Sequence, residues 1–242
     1  VINRIKALVS EPSMLTAIKY LSDNVSLNIL VSIGESIILS ENDTKQINQE
    51  ISQLLERPFS INYKKYIPIS IIDNWLDKAD DFEYLLTINL YQIKQPIDKY
   101  TEVSVAHLLS SPKKTQKKYI AFIHRPESIS QYKDNTLDLN KSINNALLWG
   151  NVEITKVKSI FLNTFSISNL DDTRKEVLFT ESGGKIPLYS IDNIIGCTQH
   201  VSPWVNLYIS TSCLIKTEAA QLAITRQNNE IFVWTVTPPI GI

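Results

Sequence analysis

The chain is poor in the residues that build most cofactor and catalytic sites. It has 242 residues, of which 6 are glycine, 2 are cysteine and 3 are histidine. Scarce glycine disfavours the loops that cradle nucleotides, and neither GxGxxG nor GxxxxGK[ST] occurs. Two cysteines, Cys197 and Cys213, do not make a disulfide framework. A structural zinc site needs about four clustered ligands, and no such cluster is visible, so no metal and no cofactor is expected. No apolar run approaches the ~20 residues of a membrane span. An excess of one charge is missing too: Lys+Arg is 24 against Asp+Glu 25, a net charge of −1. That balance gives no global attraction to nucleic acid or to an anionic membrane, so neither is expected as a partner. One local basic run, Lys113 to Lys118, sits beside Ser111-Pro112 and reads as a solvated turn. The chain does not begin with Met. An anchor or export signal upstream stays open, and with it the compartment, cytoplasm or periplasm.

What is abundant is apolar: 43% of the residues are hydrophobic, enough for a substantial core. Residues 3–22 predict a helix broken near Glu11-Pro12. LNILVSIG (27–34) has the length of a buried strand. Asn42-Asp43-Thr44 opens an amphipathic helix with Ile47, Ile51, Leu54 and Leu55 on one side, stopped by Arg57-Pro58. FSINYKKY (59–66) alternates like an exposed strand, a helical piece follows Pro68, and FEYLLTINLYQI (82–93) is apolar enough to lie centrally in a sheet. The second half repeats this rhythm. Strands are expected at 102–111, 117–126, 154–165 and 229–238, with another in IPLYSIDNIIG. Helices are expected at 137–150, 169–182 and 202–224. This alternation predicts an α/β chain with a mixed sheet and flanking helices.

The order of landmarks from about 101 to 224 resembles the C-terminal half of the β-ketoacyl synthases, in the thiolase-like superfamily. The pieces are EVSVAHLL (102–109), YIAFIH (119–124), INNALLWG (143–150), SIFLNTFSI (159–167), LDDTRKE (170–176) and DNIIGCT (192–198). In that family a strand ends in H-G-T-x-T, a D-x-x-E helix follows, and a lysine lies four residues before a glycine in K-x-x-x-G-H. Here Asn163 precedes Asp171 by eight residues, and Asp192 precedes Gly196 by four. The resemblance implies a thiolase-like fold for residues 101–242. Residues 1–100 are left as an N-terminal α/β part of uncertain fold, packed with the rest as one globular unit.

The chain departs from the family where the chemistry lies. Asn163 stands where the resemblance places the first histidine, Asp192 where it places the lysine, and Cys197 where it places the second histidine. Arg174 takes the acidic place of D-x-x-E, with Glu176 nearby. The family's nucleophilic cysteine belongs at a helix N-terminus in the first half, and no cysteine precedes residue 197. An amide can donate one hydrogen bond, but a thiol is a poor donor and does not replace an imidazole. The resemblance therefore implies a degenerate site.

Other chemistry is weighed beside that reading. Cys197 and His200, at i and i+3, could form a thiol–imidazole pair, against a semi-buried cysteine and a solvent-facing histidine. Asp171-Asp172 and Asp80-Asp81 read as helix-capping or turn residues. His107 and His124 read as structural, Trp75, Trp149 and Trp234 as core, and Trp204 as core or interface. No GxSxG elbow is present. The expectation is a non-catalytic, thiolase-like bacterial protein working through protein–protein contacts, such as an adaptor or accessory factor for a secreted effector. Two alternatives stand beside it. One is a divergent thiol-dependent acyl-transfer enzyme using Cys197 with His200 or the carboxylates Asp171 and Asp192. The other is an immunity or inhibitor protein.

Overall fold

A computed structural model of the protein describes residues 1–21, 27–34, 37–77, 84–93, 98–110, 119–130, 136–163, 186–228 and 230–239, with the side chains of 130 and 136–138 left aside. By its contacts the chain divides into two units. The first is Val1–Ile67, Asn74–Ile97 and Glu102–Gln116; the second is Pro68–Asp73, Asp98–Thr101 and Lys117–Ile242.

The first unit is built on a sheet of β1 (Leu27–Ser32), β2 (Phe59–Lys64), β3 (Tyr84–Tyr91) and β4 (Val103–Ser110), in the order β2-β1-β3-β4. β1 runs parallel to β2 and to β3, and β4 returns antiparallel to β3. Period-two alternation turns Leu27, Ile29, Val31, Leu86, Ile88 and Leu90 to one face. There they pack with Ile47, Ile51 and Leu55 of α3 (Glu41–Leu55) and with Ile5, Val9 and Ile18 of α1 (Ile2–Val9) and α2 (Pro12–Lys19). Each such apolar side chain contributes about 1.5–3 kcal/mol when fully buried. The α3 start lies earlier than Asn42: Ser40 accepts from the Asp43 N–H at 3.1 Å and Asp43 accepts from the Ser40 N–H at 2.8 Å, a reciprocal capping box. The edge strand β2 alternates half-buried and exposed, as its sequence predicts, and β3 is buried along nearly its whole length. A short helix, α4 (Ile71–Asp77), follows Pro68.

The second unit repeats the same connectivity. β7 (Ser159–Asn163) runs parallel to β8 (Leu188–Ser190) and to β9 (Gln221–Gln227), and β10 (Glu230–Thr237) returns antiparallel to β9. The order β8-β7-β9-β10 thus matches β2-β1-β3-β4 in pairing and direction. Leu162, Leu222, Ile224, Ile231 and Val233 pack with Leu139, Ile143 and Ala146 of α5 (Thr136–Trp149).

Several elements differ from the sequence reading, each for a local reason. The run 117–126 is not one strand. β5 (Phe122–Ile123) and β6 (Glu127–Ser130) both pair with β10, and four steps from Ile123 to Glu127 face three steps from Val236 to Val233. The extra residue is a bulge at His124–Pro126, where proline has no N–H for the ladder. Ile154–Lys156 is a 3₁₀ turn, so that strand begins only at Ser159. The Asp192 segment is helical, α6 (Ile191–Ile195), rather than a strand running into a loop. α7 (Ser202–Thr217) ends at Glu218 in a left-handed conformation, and Gln221 to Ile224 belong to β9. The strand at 103–110, grouped in sequence with the second half, is hydrogen-bonded into the first sheet. The expected helix 169–182, the basic run 113–118 and Asp80-Asp81 lie outside the described residues.

Candidate functional site

The site residues converge because β7 and β8 are parallel neighbours, paired from Ile160↔Leu188 to Leu162↔Ser190. Their C-terminal ends therefore lie side by side. Asn163 is the last residue of β7 and is fully buried. α6 begins directly after β8 and carries Asp192 in its first turn. The Asn163 Nδ2 donates to Asp192 Oδ1 at 3.2 Å. Beside it on β9, Thr225 is the register partner of Asn163 and is also fully buried. Behind the strands, Asn206 of α7 donates through Nδ2 to the carbonyls of Phe161 and Ile224, each at 3.2 Å. A buried amide thus fixes helix to sheet where the site stands.

The spacing from Asp192 to Gly196 is one helical turn, and the Gly196 N–H donates to the Asp192 carbonyl at 3.0 Å. Gly196 takes φ +89°, a region that favours glycine, and a Cβ there would lie 2.5 Å from Thr101 Oγ1. Cys197 follows. Its N–H donates to the Lys99 carbonyl at 2.7 Å, and its carbonyl accepts from the Thr101 N–H at 3.1 Å. Burial raises the Cys197 thiol, a hydrogen bond from the Gln199 main chain opposes that, and the Asp192 charge raises it further. His200 sits in the 3₁₀ turn Gln199–Val201, beside the buried pair Thr198 Oγ1 and Ser202 Oγ at 2.9 Å.

The structure therefore brings Asn163 and Asp192 into contact, with Asp192 close enough to act on Cys197 by its charge. Asp171 lies outside the described residues. Among the described residues no cluster of three or more His, Cys, Asp or Glu could hold a metal ion, and no helix is long and apolar enough to cross a membrane. His124 Nε2 is 2.8 Å from Thr237 Oγ1, and burial lowers its pKa. Burial pushes the His107 imidazole down to about 4, and both its ring nitrogens are shielded although the residue keeps partial exposure. Trp75, Trp204 and Trp234 are buried. Trp149 is not core: it is exposed, and its Nε1 donates to Glu127 Oε1 at 2.6 Å.

Sequence reasoning missed Thr101, Thr225 and Asn206. Asn206 and Ser210, four apart in an apolar helix and both fully buried, leave a polar stripe that could have been read. Thr101 leaves no sequence signal, since it meets Ile195 across 94 residues.

No model of a protein family matches the sequence, and no curated protein matches it. The fold, by contrast, is matched by solved structures. A ketosynthase domain, OzmH KS7 of Streptomyces albus JA3453, is similar at a TM-score of 0.65 and 9% identity, over 100% of this chain and 60% of that one. A structure described as PfaC keto synthase–chain length factor is similar at 0.64 and 11%, over 98% of this chain and 35% of that one. The 3-oxoacyl-[acyl-carrier-protein] synthase III of Aquifex aeolicus is similar at 0.56 and 10%, over 89% and 78%. The chain thus spans about a third of the length of the keto synthase–chain length factor structure.

Proposed function

We propose that this chain, whose fold is thiolase-like, carries out no acyl transfer and acts instead through contact with another protein. The observation that carries the reading is the Asn163–Asp192 hydrogen bond at 3.2 Å. It sits where the resemblance calls for an imidazole and an ammonium. Acyl transfer develops negative charge on an oxygen, and a site for it needs donors or cations aimed at that oxygen. Here the Asn163 Nδ2 donor is engaged by a carboxylate. A carboxylate about 4 Å from a developing oxyanion costs up to about 4 kcal/mol at an effective dielectric of 20, roughly a thousandfold in rate. The Cys197 thiol adds no nucleophile, because burial and Asp192 both favour its protonated form.

A fold emptied of its catalytic groups keeps its surfaces for binding. The similarity to a structure described as a keto synthase–chain length factor supports a protein partner. The partner envisaged is a secreted effector that the chain accompanies as an adaptor. Affinity capture from the native source tests this, with the natural chain beside an Asn163→Ala, Asp192→Ala, Cys197→Ala chain. Both are expected to retain the same protein in equal amount, an effector together with secretion components. Recovery of a toxin alone would assign the chain as an inhibitor instead. Capture abolished by the triple change would return the function to the site.

A further inference from the structure

The turn that carries Cys197 is held by a second piece of chain, and the site's own residues do not explain that hold. The piece is Asp98–Thr101, which belongs by its contacts to the second unit. Tyr100 and Cys197 form an isolated parallel bridge. The Lys99 carbonyl takes the Cys197 N–H at 2.7 Å, the Thr101 N–H takes the Cys197 carbonyl at 3.1 Å, and the Thr101 hydroxyl donates to the Ile195 carbonyl. Three polar main-chain groups of the turn are thereby occupied. Gly196 makes the approach possible, since any side chain there would meet Thr101. Lys99 takes φ +66°, in the left-handed region that favours glycine.

We infer that Asp98–Thr101 is a strap and that Thr101 is the positioning residue that locks the Gly196-Cys197 turn shut. The Lys99 carbonyl occupies the Cys197 N–H. The strap thus fixes the turn and leaves no free main-chain donor at Cys197, whichever side chains stand at 163, 192 and 197. Exchanging those three for His, Lys and His would leave the N–H blocked. The inference rests on the reading of this turn as a site without acyl chemistry, but its test does not use acyl chemistry.

The experiment is alkylation by iodoacetamide between pH 6.5 and 9.5, followed by peptide mass. Cys213, the other half-buried free thiol, serves as the internal reference. Thr101→Val keeps the shape and loses the hydroxyl bond; it is expected to raise the Cys197 rate roughly tenfold relative to Cys213 and to move its pH midpoint down. Thr101→Ser keeps the hydroxyl and is expected to behave as the natural chain. Gly196→Ala, which pushes Thr101 away, is expected to act like Thr101→Val. An unchanged Cys197 to Cys213 ratio in Thr101→Val overturns the strap. The natural chain gives a reading that needs no variant: the Cys197 and Thr101 amides should exchange hydrogen slowly, and exchange at the unprotected rate also overturns it. Acyl turnover by the natural chain would refute the proposed function and leave these ratios untouched, so the two failures are distinguishable.

Discussion

Asn89 carries a buried polar group that the fold does not use. It is 1% exposed, and neither atom of its amide has a hydrogen-bond partner among the described residues; Thr87 Oγ1, two residues before it on the same face of β3, has none either. A buried donor or acceptor without a partner costs about 1–3 kcal/mol. Asn89→Leu is therefore expected to raise the urea midpoint without changing the slope, whereas a fall would mean that the amide is satisfied by water or a ligand. His107, the register partner of Thr87, gives a pH prediction. Its folded pKa of about 4 lies below the ordinary 6.5, so the unfolded chain binds the proton more tightly. Stability is complete above pH 6.5 and falls as pH drops from 6.5 to 4, by at most about 3 kcal/mol. Glu11, Asp43 and Glu102 are held low by their hydrogen bonds, and their contributions fade only as pH falls below 4.5. His107→Phe should flatten the urea midpoint between pH 6.5 and 5, and a slope equal to that of the natural chain would assign the loss to other groups.

At the scale of elements, what was legible was what is local. Alternation gave β2, and an unbroken apolar run gave β3 as a central strand. Period 3.6 gave α3 and α5. What was not legible depends on distant chain. The bulge at His124–Pro126 exists because β10 lies beside it. The short β7 begins where Ala220 accepts from the Lys158 N–H at 2.8 Å. Gly150 illustrates the difference. Its sequence context reads as a helix stop, yet its φ is not among the positive ones, and the space it leaves is filled by Thr235 of β10. Gly150→Ala should therefore destabilise by about 1–3 kcal/mol through overpacking. Thr235→Ala on the same chain should recover part of that, although it gives up the Thr235 hydroxyl bond to the Ala146 carbonyl at 3.0 Å. A thermal-melt double-mutant cycle reads the coupling, and strictly additive losses would exclude the contact. Ser40→Ala removes one half of the capping box and should cost about 1 kcal/mol, or roughly 2–4 °C in Tm.

For the whole molecule, the repeated rhythm of the two halves has a structural counterpart. Each unit has a central strand with parallel neighbours on both sides and an antiparallel return, β2-β1-β3-β4 and β8-β7-β9-β10. The first half was legible only as strands and helices, because its apolar residues record burial and not strand order. The thiolase-like fold was legible from the order of landmarks and two spacings: eight residues from Asn163 to Asp171, and four from Asp192 to Gly196, which in the structure is one helical turn. Each of those spacings lies within a short stretch of sequence, whereas the Asn163–Asp192 contact joins residues 29 apart and the hold of Thr101 on Ile195 joins residues 94 apart, and neither leaves such a trace. The absence of acyl chemistry is the central claim, and intact mass tests it most directly. The natural chain and Cys197→Ala are incubated with acyl and malonyl thioesters from pH 6 to 9, and protein mass and condensation product are followed together. The account predicts no adduct on Cys197 and no product above the thioester blank at any pH. An acyl adduct on Cys197 with turnover, lost in Cys197→Ala, would contradict it.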